Sequence, residues 1–83
     1  PPSEPDVNSL AYNLMNSNKP VTARALFELN IQNYPTSANV YDSMGDFFMN
    51  QSDTLQAIEQ FTKALELGDS PFTKEKLSQL EES

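Results

Sequence analysis

The sequence contains no cysteine, no histidine and no tryptophan, and only two glycines in 83 residues. Without cysteine there is neither a disulfide nor a thiolate metal site. With histidine missing as well, no Ser-His or Cys-His nucleophile pair can be assembled, and the serines have no evident base. Basic residues are scarce too. Five Lys and Arg against twelve Asp and Glu leave a formal charge of -7, which repels phosphate backbones and anionic membrane surfaces. No apolar run approaches the ~18 residues of a membrane span, and no basic-then-apolar signal segment opens the chain. These absences argue against catalysis in this segment, against nucleic-acid and membrane partners, and against a cofactor. The chain opens on proline rather than methionine, so it reads as processed or as a piece cut from a longer protein. A soluble domain is expected, cytoplasmic by default and periplasmic if the parent carries a signal peptide.

What is present is helical periodicity. Between Ala38 and Asp69, Tyr41, Met44, Gly45 and Phe48 fall at i, i+3, i+4 and i+7, so a helix of 3.6 residues per turn puts them on one stripe. Ala57, Ile58, Phe61, Ala64 and Leu65 form a second stripe. Asp53 with Gln56 three residues later has the spacing of a capping box between the two. Gly45 is costly inside a helix, by about 1 kcal/mol relative to alanine. With Ala57 and Ala64 it reads as a place where two helix backbones approach closely.

Five helices are predicted. The first spans residues 7–16 with Asp6 as a cap, the second runs from Pro20 to Asn33, the third spans 38–50 behind a cap at Thr36 or Ser37, and the fourth spans 54–67. Gly68 is expected to end the fourth helix in a left-handed conformation. Ser70 and Pro71 start the fifth, whose Phe72, Leu77 and Leu80 share a side while Lys74 and Lys76 are read as its solvated face. Residues 1–6, PPSEPD, are expected to be a disordered linker. Arg24 and Glu28 have the i,i+4 spacing of an ion pair.

The placement of Tyr41, Met44, Gly45, Phe48, Ala57, Phe61 and Ala64 resembles the tetratricopeptide repeat, a helix-turn-helix unit of about 34 residues. One period earlier the same positions hold Val7, Leu10, Ala11, Leu14, Ala23, Phe27 and Pro35. Asn30 stands where the later copy has Ala64, and is expected to bond to backbone or turn aside, since an unsatisfied buried amide costs about 1–3 kcal/mol. The resemblance implies an all-α fold of antiparallel helix pairs stacked as a right-handed superhelix. Two repeats, at about 4–37 and 38–71, would be closed by a capping helix over 72–83, because Glu75, Ser78 and Gln79 do not continue the signature.

In this family the first helix of each repeat lines a concave face. The resemblance assigns that face here to Asn8, Tyr12, Met15 and Asn16 from one copy and to Asn39, Asp42, Asp46, Met49 and Asn50 from the other. The implied function is a protein-protein interaction or scaffolding module, taking a basic or neutral peptide or domain through polar contacts and apolar pockets at Tyr12, Met15 and Met49. The family's lysine/asparagine/arginine clamp for acidic C-termini does not fit, because Asp42 and Asp46 carry the wrong charge. Two plainer readings stand beside these. The Asp42/Asp46 pair, which could hold a divalent cation weakly, reads first as a solvated acidic patch, and Met15 and Met49 read as edge-of-core residues.

The segment from Tyr34 to Leu77 also resembles, more loosely, the repeat tails that follow serine-hydrolase or esterase domains of the α/β-hydrolase type in bacterial proteins. It carries no catalytic residue. The alternative it implies is a non-catalytic C-terminal appendage that packs against an upstream hydrolase domain or mediates self-association as a weak homodimer.

Overall fold

Helix starts and stops in the computed structural model, which describes residues 2–82, follow the local chemistry of the chain. Helix α1 spans Glu4–Asn16. It begins three residues earlier than the periodicity predicts because Ser3 is the cap, its hydroxyl accepting from the Asp6 amide at 3.4 Å. Pro5 sits in the first turn, where the missing N–H costs nothing. Most of the expected disordered lead-in is therefore helix or helix cap; its first residue, Pro1, lies outside the described residues. Helix α2 spans Pro20–Asn33 with its proline at the start. Helix α3 spans Ala38–Asn50, helix α4 Thr54–Leu67 and helix α5 Pro71–Glu82; Ser83 of the expected capping segment lies outside the described residues.

α1 and α3 end identically. The Lys19 amide donates to the Leu14 carbonyl and the Asp53 amide to the Phe48 carbonyl, both at 2.9 Å. In each turn one residue takes a left-handed conformation, Asn18 at φ 61° and Ser52 at φ 60°. This is the Schellman arrangement, and here it is made without glycine. Gly68, where the left-handed residue was expected, is extended at φ -165°. Its role is space, since a Cβ there would come within 3.0 Å of the Ala38 Cβ.

The fold is all-α, with packing that follows chain order: α1 on α2, α2 on α3, α3 on α4 and α4 on α5, with α1 also meeting α3. One core cluster joins Ala11, Ala23, Phe27, Met44, Phe47, Phe48, Ala57 and Phe61. Phe27 links the hairpins, meeting Tyr12 edge-on at 5.2 Å and Phe47 at 5.9 Å between ring centroids. Gly45 is required by contact: a Cβ would lie within 2.8 Å of three carbons of the Phe61 ring. α3 buries Val40, Ser43, Met44, Gly45, Phe47 and Phe48, a wider stripe than its periodicity predicts. It is packed on one side by α4 and on another by α1 and α2, so Phe47 is as buried as Phe48.

Asn30 meets its expectation. It is 1% exposed, and its side-chain amide donates to the Glu4 carbonyl at 3.0 Å, although its Oδ1 has no partner among the described residues. Tyr34 and Ser37 extend this tie, the first donating to the Pro2 carbonyl at 2.6 Å and the second to the Glu4 carboxylate at 3.1 Å. Ser37, at the start of α3, thus spends its hydroxyl on α1 and leaves α3 without a side-chain cap. At the other end, α5 turns Phe72 outward, 79% exposed, and buries Thr73. Thr73, Lys76, Leu77 and Leu80 form its inward row. The expected side of Phe72, Leu77 and Leu80 is corrected to this one, because Phe72 lies a full residue, about 100°, away from Thr73 on the helix.

Candidate binding face

The residues assigned to a binding face separate into two groups along α3. Tyr12 and Met15 of α1 and Asp46 and Met49 of α3, with Asn16 and Asn50, line a shallow open depression of about 410 Å³. Met49 is 39% exposed at its rim. Asn39 and Asp42, nearer the start of α3, line a different recess of about 260 Å³ with Gly68, Ser70 and Thr73. Asn39 reaches the Glu4 carboxylate only at 3.5 Å. Asn8 lies partly buried on α1 between Glu4 and Tyr12, its Oδ1 enclosed and unpartnered among the described residues.

The two groups are joined by a polar ladder that runs across α1, α3 and α5. The Tyr12 hydroxyl donates to Asp46 Oδ2 at 2.5 Å. Lys76 Nζ donates to Asp46 Oδ1 and to Asp42 Oδ2, each at 3.0 Å. Thr73 Oγ1 donates to Asp42 Oδ1 at 2.7 Å. Asp42 and Asp46 are therefore not a solvated acidic patch, and Lys76 is not part of a solvated face. Their side chains are only 20%, 21% and 29% exposed. Spacing explains why the lysine lands there: α3 offers carboxylates at i and i+4, one turn apart on one face, and an ammonium between them has a partner on either side. Lys74, by contrast, is exposed and pairs with Asp69 at 2.7 Å.

Two ionisation equilibria respond to the ladder. Burial raises the Tyr12 hydroxyl well above the ordinary tyrosine value, and donation to Asp46 adds to the rise. For Lys76 burial acts in the opposite direction, but the hydrogen bonds to Asp46 and Asp42 outweigh it and the ammonium is raised. The lysine also lies 5.4 Å above the Phe61 ring, where the ring's negative face favours a cation. The position between Asp42 and Asp46 that a divalent cation would need is thus filled by an ammonium. Among the described residues no group of three or more acidic side chains is placed to hold a metal.

Thr73 and Lys76 are the residues that sequence reasoning left out of this face. A signal for them exists: Thr73 stands 34 positions after Asn39 and Lys76 34 after Asp42, and the Tyr12–Asp46 bond spans the same interval. α5 was set aside because its aromatic and small positions are polar, yet its inward polar positions keep the period. The expected Arg24–Glu28 pair forms at 3.7 Å with both side chains about half exposed, and Arg24 also lies over Phe48 at 5.2 Å. No protein family's sequence profile matches the chain, and no curated protein matches it. None of the described helices is long and apolar enough to cross a membrane.

Proposed function

We propose that this chain is a protein-interaction module of the tetratricopeptide-repeat kind, two helix pairs and a capping helix, that binds a basic or neutral peptide or domain on the α1/α3 face. The repeat reading is supported by the 34-residue interval that relates Asn18 to Ser52, Leu14 to Phe48 and Tyr12 to Asp46 in equivalent turns and bonds. One observation carries the binding reading: a depression lined by the exposed Met49 and by Met15 and Tyr12, which are part-buried against the core, beside amides and a carboxylate. Methionine adapts its shape to an apolar side chain, and the surrounding Asn16 and Asn50 supply donors and acceptors for a peptide backbone. Asp46 borders the depression, but Lys76 offsets part of its charge, so the preference for a basic ligand is weaker than two bare carboxylates would give. The net charge of the chain disfavours nucleic acid and anionic membranes.

The second reading is an appendage packed on an upstream hydrolase domain, or a self-associating unit, with no chemistry of its own. What favours it is the fixed path of the first described residues, where Tyr34, Asn30 and Ser37 hold Pro2 and Glu4. A preceding domain would then enter at a set angle.

The test is an amide-shift titration of the labelled chain with a library of basic and neutral peptides, repeated on Met49→Lys. Shifts centred on Tyr12, Met15, Asp46 and Met49 that weaken about tenfold in the variant, or roughly 1.4 kcal/mol, are the expected result. No shifts with any peptide would overturn this reading in favour of the appendage.

A further inference from the structure

Of the five helices among the described residues, α5 is held in the least apolar way. Thr73 is its only fully buried residue, whereas α3 buries six and α4 three. Leu77 and Leu80 are half-buried against the core cluster. The directional contacts are Thr73 on Asp42 and Lys76 in the fork between Asp42 and Asp46. A segment with few buried apolar contacts is drawn from the low end of local stability and opens before the rest of the fold. Its seat, once vacated, would present two carboxylates one turn apart on the same helix face, and among the described residues Lys76 supplies their only ion pairs. Like charges at that spacing repel, so the vacated seat favours a cation.

The geometry points to the seat of α5 on α3 and α4 being a helix-binding site with an exchangeable resident. Its external ligand is an amphipathic helix of another protein with a hydroxyl residue, a lysine three positions on, and apolar residues four and seven positions on. That is the row Thr73, Lys76, Leu77 and Leu80 present. The lysine matches the carboxylate fork, the hydroxyl satisfies Asp42, and the two apolar side chains cover the edge of the core. α5 is tied to α4 by residues 68–70 alone. So short a tether holds it at an effective concentration of the order of millimolar, and α5 thereby limits access to the seat. The inference rests on the interaction-module reading and names a partner and a gate for the α5 side of that face.

The experiment uses the full labelled chain, wild type and Lys76→Glu, and as probe a synthetic peptide of residues 70–82. Lys76→Glu sets a third carboxylate against Asp42 and Asp46 and releases α5, which hydrogen exchange along 71–82 records. The expected result is that the probe shifts amides near Asp42, Asp46 and Phe61 in the variant and binds it at least about tenfold more tightly than the wild type, whose tethered helix competes. A probe carrying Lys76→Glu itself should not bind. If Lys76→Glu unfolds α1–α4, the double variant Thr73→Val/Lys76→Met removes the polar clasp while keeping an apolar inward row, and the same titration is read on it. A released α5 with no probe binding, or an α5 that stays protected in both variants, overturns the inference. So does a dimer formed by exchange of α5 between copies, seen by sedimentation, with no capture of the probe. Met49→Lys separates the two readings, because it weakens binding at the open depression and leaves the seat titration unchanged.

Discussion

The seam between α3 and α4 and the polar seam between α3 and α5 are built from opposite materials. In the first, Gly45 removes a side chain so that the Phe61 ring can lie directly on the α3 backbone, and Phe61, Ala57 and Met44 are buried around it. In the second, a threonine hydroxyl and a lysine ammonium do most of the directional work and a phenylalanine on the same helix faces solvent. The dry seam is held by shape and area, which neither salt nor pH changes much. The polar seam is held by charges still 20–29% exposed, which are screened and titratable. A chain of this size can thus join a hairpin of fixed geometry to a terminal helix whose attachment responds to conditions.

The comparison breaks most visibly at the ring. Phe61→Ala should cost roughly 3–5 kcal/mol, comparable to the low end, about 5 kcal/mol, of the stability typical of a whole domain, and Gly45→Leu should act in the same direction by driving a side chain into the ring. Urea denaturation followed by circular dichroism checks both, and a cooperative fold retained at ambient temperature in Phe61→Ala would contradict this account of the dry seam.

Alkaline pH addresses the polar seam. Tyr12 and Lys76 both have folded-state values raised above their unfolded ones, so the fold holds their protons more firmly than the unfolded chain does. The stability they contribute is complete below their unfolded values, near 10 for tyrosine and 10.4 for lysine, and is lost as pH rises from there through the raised values. Unfolding free energy should hold level with respect to these two groups near neutrality and fall above about pH 10, with hydrogen exchange in α5 rising before that in α3 and α4. Tyr12→Phe removes the tyrosine share of the fall; an unchanged alkaline profile in that variant would assign the loss elsewhere.

The smallest effect concerns the matched turns. Ser52 takes the left-handed conformation that Asn18 takes in the other hairpin, and asparagine tolerates it better than serine does. Ser52→Asn should add about 0.5 kcal/mol, measurable as a shift in the urea midpoint with an unchanged slope. No shift would mean that the two turns, alike in geometry, differ in strain.

Much of the fold was legible because its cues are local. Periodicity, Pro20, Pro71, Asp53 and the break at Tyr34 and Pro35 place helix ends to within a residue or two, and Gly45 signals a close approach before the ring that requires it is seen. The start of α1 was missed because a proline-rich string resembles a linker even when Ser3 can cap a helix through it. The left-handed turns were missed because Asn18 and Ser52 carry no glycine to mark them, while Gly68 is extended and serves to leave room for Ala38. On the α1/α3 face, Tyr12, Met15, Asp46 and Met49 do come together, as one-turn and one-period spacings imply. Asp42 lines a separate recess with Asn39 and Thr73, and its bond to Lys76 was not legible, since nothing local in KEKL shows that its second lysine crosses to another helix.

By itself the sequence determined five helices, their order, the stripes that must be buried and a surplus of negative charge. These follow from torsional preferences and apolar periodicity, which act over a few residues. Only the tertiary structure decided that Lys76 sits between Asp42 and Asp46, that Asn30 holds the Glu4 carbonyl, and that Phe72 points outward. Each depends on where residues about 30 positions apart meet, and that is set by how helices pack in three dimensions.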